Sequence, residues 1–128
     1  MSEDRLLRMV FGRADLPLVR CMVTESGIRA GLSGSANGAF VQAALEIAAN
    51  AVVHGGGHGT IELALLDGEL RCEVTDDGPG LPRRAVPEAA GLGLRLAESL
   101  TGRLELRSGA ERRGTTAALT VRVPAAAG

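Results

Sequence analysis

Two hydrophobic periods alternate along this chain of 128 residues. Short runs in which apolar residues follow or alternate with polar ones suit strands. They fall at residues 5–11 (carrying LLRMVF), 60–66 (TIELALL), 69–75 (ELRCEVT), 103–108 and 115–123. Longer apolar segments, suited to helices, occupy residues 16–30, about 35–54 and about 92–100. The residues between them punctuate the chain in the same places. Asp15 is placed to cap the first helix, with Pro17 tolerated in its opening turn, and Ser35 to cap the second. Gly55-Gly56-Gly57 stops the second helix and Gly102 the third, because glycine readily takes the left-handed conformation at a helix end. Asp67-Gly68 between two strand segments is a hairpin signal. Residues 76–90 read as a Gly/Pro-punctuated loop, 110–114 as a polar turn, and the Ala/Gly tail after Pro124 as a frayed end. Strand, two helices, hairpin, helix and hairpin, in that order, predict an α/β sandwich (α+β). One domain over residues 1–128 would carry helices on one face of a largely antiparallel sheet. The strict strand–helix alternation of a Rossmann fold is not present.

Composition narrows the function. The formal charge of −1 gives no basic footprint for nucleic acid and no polybasic anchor for a membrane. Phe11 and Phe40 are the only aromatic residues, which argues against a base-stacking platform. No apolar run reads as long enough to span a bilayer, and no leader is recognised, so a cytoplasmic protein is expected. Cys21 and Cys72 lie too far apart in sequence for a zinc motif and are expected to be free, mostly buried thiols. All 14 basic residues are Arg. A Walker-A loop and a eukaryotic-type protein kinase each need a specific Lys on the nucleotide phosphates, so both are excluded. Composition bias alone accounts for the missing Lys; the exclusion holds regardless.

Four short segments carry candidate chemistry. In the second helix, Gln42, Glu46 and Asn50 are the only polar residues of the run AFVQAALEIAANAVV. Spacings of four put them on one stripe, each about 6 Å above the last. Such a thin line is either a narrow solvated edge or a set of functional groups, since burying a carboxylate beside an amide is costly without partners. Asp76-Asp77-Gly78-Pro79-Gly80 follows a strand: its glycines let backbone approach a flat ligand, and a carboxylate before them can accept a hydrogen bond from that ligand. An ordinary turn would look the same. Gly91-Leu92-Gly93-Leu94 opens the third helix, where exposed N–H groups and the helix dipole favour an anion. Gly114-Thr115-Thr116 leads into the last strand and means little alone.

Taken in order, the four pieces resemble the ATP-binding boxes of the GHKL (Bergerat-fold) superfamily. That group includes histidine-kinase catalytic domains, Hsp90-type chaperones, MutL and type II topoisomerase subunits. The segment 46–55, EIAANAVVHG, is similar to the N box, and residues 76–80, 91–94 and 114–116 to the three glycine boxes. The resemblance covers the chain from about residue 40 onward and implies a Bergerat fold, a mostly antiparallel mixed sheet covered by three helices. It implies ATP and Mg²⁺ as ligands. Asn50 would hold Mg²⁺ through its side-chain oxygen, and Glu46 would be the general base. Asp76 would accept the adenine amino group, with Gly78 and Gly80 shaping the adenine pocket and Thr115 supporting it. Gly91 and Gly93 would border the ATP lid, with backbone N–H groups around Gly93 and Leu94 on phosphate. Arg83 and Arg84 fall in the short lid segment, where one could reach the terminal phosphate or both could be solvated. His54 and His58 read as loop residues.

Within the superfamily, the chain lacks the coupling domains of Hsp90, MutL and gyrase. Residues 1–35 are too short for the phosphoacceptor hairpin of a sensor histidine kinase. It is similar instead to single-domain anti-sigma-factor serine kinases. That similarity implies ATP-dependent phosphorylation of a Ser or Thr on a STAS-type anti-anti-sigma partner, contact with a sigma factor in some members, and a homodimer. Two alternatives stay open: a non-catalytic ATP-sensing module, and a stand-alone histidine-kinase catalytic domain acting on a separate phosphoacceptor protein.

Overall fold

Among the described residues, five strands and two α-helices are built from these patterns. The computed structural model describes residues 3–54, 56–76, 103–108 and 114–124. Strand β1 spans Asp4–Gly12, and a single 3₁₀ turn at Arg13–Asp15 leads to helix α1, Leu16–Ala30. Helix α2 covers Gly34–His54; strands β2 (His58–Leu66), β3 (Glu69–Asp76), β4 (Arg103–Ser108) and β5 (Thr115–Arg122) complete the fold. The third expected helix, at 92–100, lies outside the described residues.

The sheet runs in the order β1-β2-β3-β5-β4, and all four ladders are antiparallel. Period-two alternation sorts the faces. In β3, Leu70, Cys72 and Val74 are buried beneath the helices while Arg71 and Thr75 are exposed on the other side. The Asp67-Gly68 turn has both central residues at positive φ, 52° and 77°, which matches the right-handed twist of the flanking strands. Strand β1 carries one extra residue, Leu6, against β2: Arg5 faces Ala64 and Leu7 faces Leu63. Such a bulge bends an edge strand and makes it a poorer template for pairing with another chain.

Helix α2 is the centre of the core. Ala43, Ala44 and Ala48 are fully buried, and their small side chains bring the helix close to the sheet. The two aromatics, Phe11 from β1 and Phe40 from α2, fill the remaining bulk at 1% exposure each. By length and composition, Gly34–Val53 is apolar enough to cross a membrane, with mean hydropathy 1.2 over 20 residues. This corrects the expectation that no such run exists. Its apolarity has a local cause, since it packs against both α1 and the sheet.

Four further expectations change. Asp15 does not cap α1: it adopts helical φ/ψ, and its Oδ2 accepts the N–H of Gly12 at 2.8 Å, closing the 3₁₀ turn instead. Ser35 lies inside α2, which begins at Gly34, and His54 and His58 end α2 and open β2 rather than sitting in a loop. Of the two thiols only Cys72 is buried; Cys21 is exposed.

Candidate nucleotide site

The polar stripe of α2 is graded along its length. Gln42 is exposed, while Glu46 and Asn50 are half-buried as the helix descends toward the sheet. The stripe is thus not a uniformly solvated edge. Glu46 sits at one side of an open groove of about 580 Å³, across which Leu16, Pro17, Arg20 and Cys21 of α1 face Gln42 and Glu46 of α2. Sequence patterning singled out neither Arg20 nor Cys21. The groove's far wall is a pairing of α1 with α2, and periodicity within one helix says nothing about its neighbour.

At the sheet, β3 ends on Asp76, half-buried, and its register partner is Thr115, buried at the start of β5. The next rung pairs Thr75 with Thr116, whose hydroxyls lie 3.4 Å apart. Two residues far apart in sequence, proposed for the same end of a nucleotide, are thus cross-strand neighbours. Helix α2 reaches that corner at Gly59 of β2. A Cβ built there would lie 3.2 Å from Ala51 Cβ and 3.1 Å from the carbonyl oxygen of Thr75. Ala51 follows Asn50, and Thr75 precedes Asp76. The N-box helix and the strand end therefore converge on one corner. Gly78, Gly80, Gly91, Gly93, Leu94, Arg83 and Arg84 lie outside the described residues.

The donor set can be tested against Mg²⁺. Among the described residues, no group of three or more His, Cys, Asp or Glu side chains could hold a metal ion by itself. Glu46 and Asn50 instead offer two oxygen donors one helical turn apart on an accessible face. Mg²⁺ takes oxygen ligands, keeps several waters and is commonly held by one or two protein groups together with substrate phosphates. The residues fit a nucleotide-borne Mg²⁺, which Asn50 would hold through its side-chain oxygen.

Electrostatics elsewhere are modest. Burial, with a smaller contribution from the Glu73 carboxylate, pushes the Cys72 thiol up to about 12, so it stays protonated and inert. On the open face of the sheet, Glu62 pairs with Arg5 at 3.5 Å and Arg8 at 3.6 Å, and Arg71 with Glu73 at 3.1 Å.

A sequence model of the histidine kinase-like ATPase domain matches residues 12–121. The chain belongs to that family, and with it to the GHKL superfamily of ATP-binding domains. Solved structures agree on the fold. The histidine kinase domain of the E. coli osmosensor EnvZ superposes with a TM-score of 0.57 at 20% identity, covering 99% of this chain and 94% of that one. The histidine kinase AdeS of Acinetobacter baumannii gives 0.56 at 15% identity, covering 93% and 68%. The blue-light activated histidine kinase of Erythrobacter litoralis EL346 gives 0.56 at 20% identity, covering 86% of this chain but only 41% of the kinase. The chain thus spans about two fifths of that longer protein. No curated protein is significantly similar in sequence.

Proposed function

We propose that this domain is an ATP-dependent protein serine/threonine kinase of the anti-sigma-factor type, acting in the cytoplasm on a STAS-type anti-anti-sigma partner. On this reading it regulates transcription by partner switching, works as a homodimer, and in some states holds a sigma factor. The observation that carries it is the convergence of α2, with Glu46 and Asn50, on the strand ends bearing Asp76 and Thr115.

Each residue then has a physical task. Asp76 accepts a hydrogen bond from the adenine amino group, and Thr115 beside it supports the same end. Asn50 holds the metal through its side-chain oxygen. When bound, ATP with Mg²⁺ supplies the transferable phosphoryl group and neutralises its charge. Glu46, one turn before Asn50 and open to the α1–α2 groove, takes the proton from the attacking hydroxyl. The remaining catalysis is positioning, as is usual for phosphoryl transfer.

Calorimetric titration with ATP, with and without Mg²⁺, followed by transfer of labelled phosphate to STAS-domain proteins, tests the proposal. Acid-stable phosphate on Ser or Thr is expected. Failure of the wild type to bind ATP would overturn it. The likeness to histidine-kinase folds supports a second reading, transfer to a His on a separate protein. In that case the phosphorylated product would be lost in acid and retained in alkali.

A further inference from the structure

We propose that Gly59 is a positioning residue for the nucleotide pocket: its missing side chain sets how closely α2 approaches the end of β3. The spacing between Asn50 and Asp76 follows from that approach. The inference rests on the nucleotide reading given above.

A glycine inside a strand needs a reason, because it costs backbone entropy and leaves nothing to pack. Backbone conformation does not supply one here. Gly59 is not among the glycines with positive φ, so any residue could adopt its dihedrals. Space supplies it. A Cβ would meet the Thr75 carbonyl oxygen at 3.1 Å, Ala51 Cβ at 3.2 Å and Phe11 Cζ at 3.2 Å. All three distances are tighter than ordinary van der Waals contact, which begins near 3.4 Å. The three neighbours come from β3, α2 and β1. The Phe11 ring tip can turn aside, but the Thr75 carbonyl and the Ala51 Cβ can give way only if strand or helix shifts by a few tenths of an ångström.

Two of those neighbours adjoin the proposed ligands. Ala51 is the residue after Asn50, on a rigid helix; Thr75 is the residue before Asp76, on a ladder paired on both sides. Lifting α2 by a few tenths of an ångström at Gly59 therefore lifts Asn50 relative to Asp76. On that reading a bound Mg·ATP would be held at the strand end by Asp76 and at the helix by Asn50 through the metal. Metal-free ATP depends on the strand end and much less on Asn50. The Mg²⁺-dependent gain in ATP affinity is thus the quantity that reads this spacing. Fold stability alone does not move it.

The test measures ATP affinity with and without Mg²⁺ by calorimetry, together with thermal unfolding, in Gly59→Ala, Ala51→Val and the swap Gly59→Ala/Ala51→Gly. Ala51→Val crowds the same contact from the helix side. Both single variants should lose on the order of tenfold of the Mg²⁺-dependent gain, with metal-free binding little changed. The swap, which moves one Cβ across the interface, should recover most of the loss. It also keeps the test open if Gly59→Ala alone does not fold. Folded single variants with an undiminished Mg²⁺ gain would overturn the proposal and leave the nucleotide reading intact. A swap that unfolds, or that folds without recovering the gain, would also overturn it. A wild type that does not bind ATP would overturn both.

Discussion

The side-chain oxygen of Asn37 occupies the position that a Cβ on Gly27 would need. Asn37 is 7% exposed, and its Nδ2 donates to the carbonyl oxygen of Thr24 at 3.3 Å. Its Oδ1 has no conventional donor among the described residues and instead faces the Cα of Gly27. A weak C–H···O contact fits that placement. The contact joins α1 to α2, the two helices that wall the Glu46 groove nearer the start of α1.

Gly27→Ala should destabilise the fold although it replaces a glycine inside a helix. Helix propensity alone would yield a gain of about 1 kcal/mol. Overlap with a buried amide should outweigh it, giving a net loss of about 1–3 kcal/mol in urea denaturation. In an Asn37→Ala background the obstacle is gone, and the same substitution should become neutral or stabilising. A stabilising Gly27→Ala in the otherwise unchanged protein would show that the contact is not tight.

Alkaline stability should be governed by one thiol. Cys72 is raised from its ordinary value of 9.0 to about 12, chiefly by burial and then by Glu73. Between those values the unfolded chain releases the proton while the folded one keeps it. Stability is therefore fully present below pH 9 and falls as pH rises toward 12, by on the order of 1 kcal/mol per unit. The chain has no Tyr and no Lys to confuse this window. Cys72→Ala should flatten the decline relative to its own stability at pH 8, measured by urea denaturation at each pH. A slope unchanged by that substitution would refute the assignment.

The ion pairs on the open face should matter little. Glu62 bridges Arg5 and Arg8, but these side chains are 38% and 60% exposed. Glu62 also lies directly across from Glu73 in the β2–β3 register, where like charges oppose the gain. Glu62→Gln should therefore change stability by less than about 1 kcal/mol at physiological salt. A larger loss in thermal unfolding would mean that the three charges act as a rigid network.

The two ends of the proposed site should fail differently. Asp76→Asn replaces an acceptor for the adenine amino group and should weaken ATP with or without Mg²⁺ by on the order of tenfold or more. Asn50→Ala should remove the benefit of Mg²⁺ while leaving metal-free binding nearly intact. Glu46→Gln should bind Mg·ATP normally and transfer phosphate at least about 100-fold more slowly. Wild-type transfer in that variant would remove Glu46 from the role of base.

The elements with their own local signature were legible in sequence. Helix α1 and strand β4 have the bounds that punctuation implied, and Asp67-Gly68 forms the turn that its positive-φ residues favour. The polar stripe of Gln42, Glu46 and Asn50, which repeats along one helix, was legible for the same reason. What was not legible depends on residues that meet only after folding. The position of β5 between β3 and β4, the bulge at Leu6 and the contact of Gly27 with Asn37 leave no mark on any single segment. Asp15 shows the converse: its composition suits a cap, but a closer N–H, that of Gly12, takes its carboxylate. Gly59 falls just before the strand expected at residues 60–66 and carries no signal of its own in the sequence. Its significance lies in three neighbours from three other elements.

The order of strands leaves the sheet with a generous connection. Asp76 stands beside Thr115 at one end of β5, and Arg103 beside Thr120 near the other, on the opposite side of that strand. These points are separated by about 17 Å along the sheet and two strand spacings across it. Some six to eight extended residues would suffice to join them. The chain uses 26, residues 77–102, which include two of the glycine boxes. Lengthening such a connection adds only logarithmically to its closure entropy. Sequence can therefore change in length and content between Asp76 and Arg103 without renegotiating a single rung of the ladder on either side.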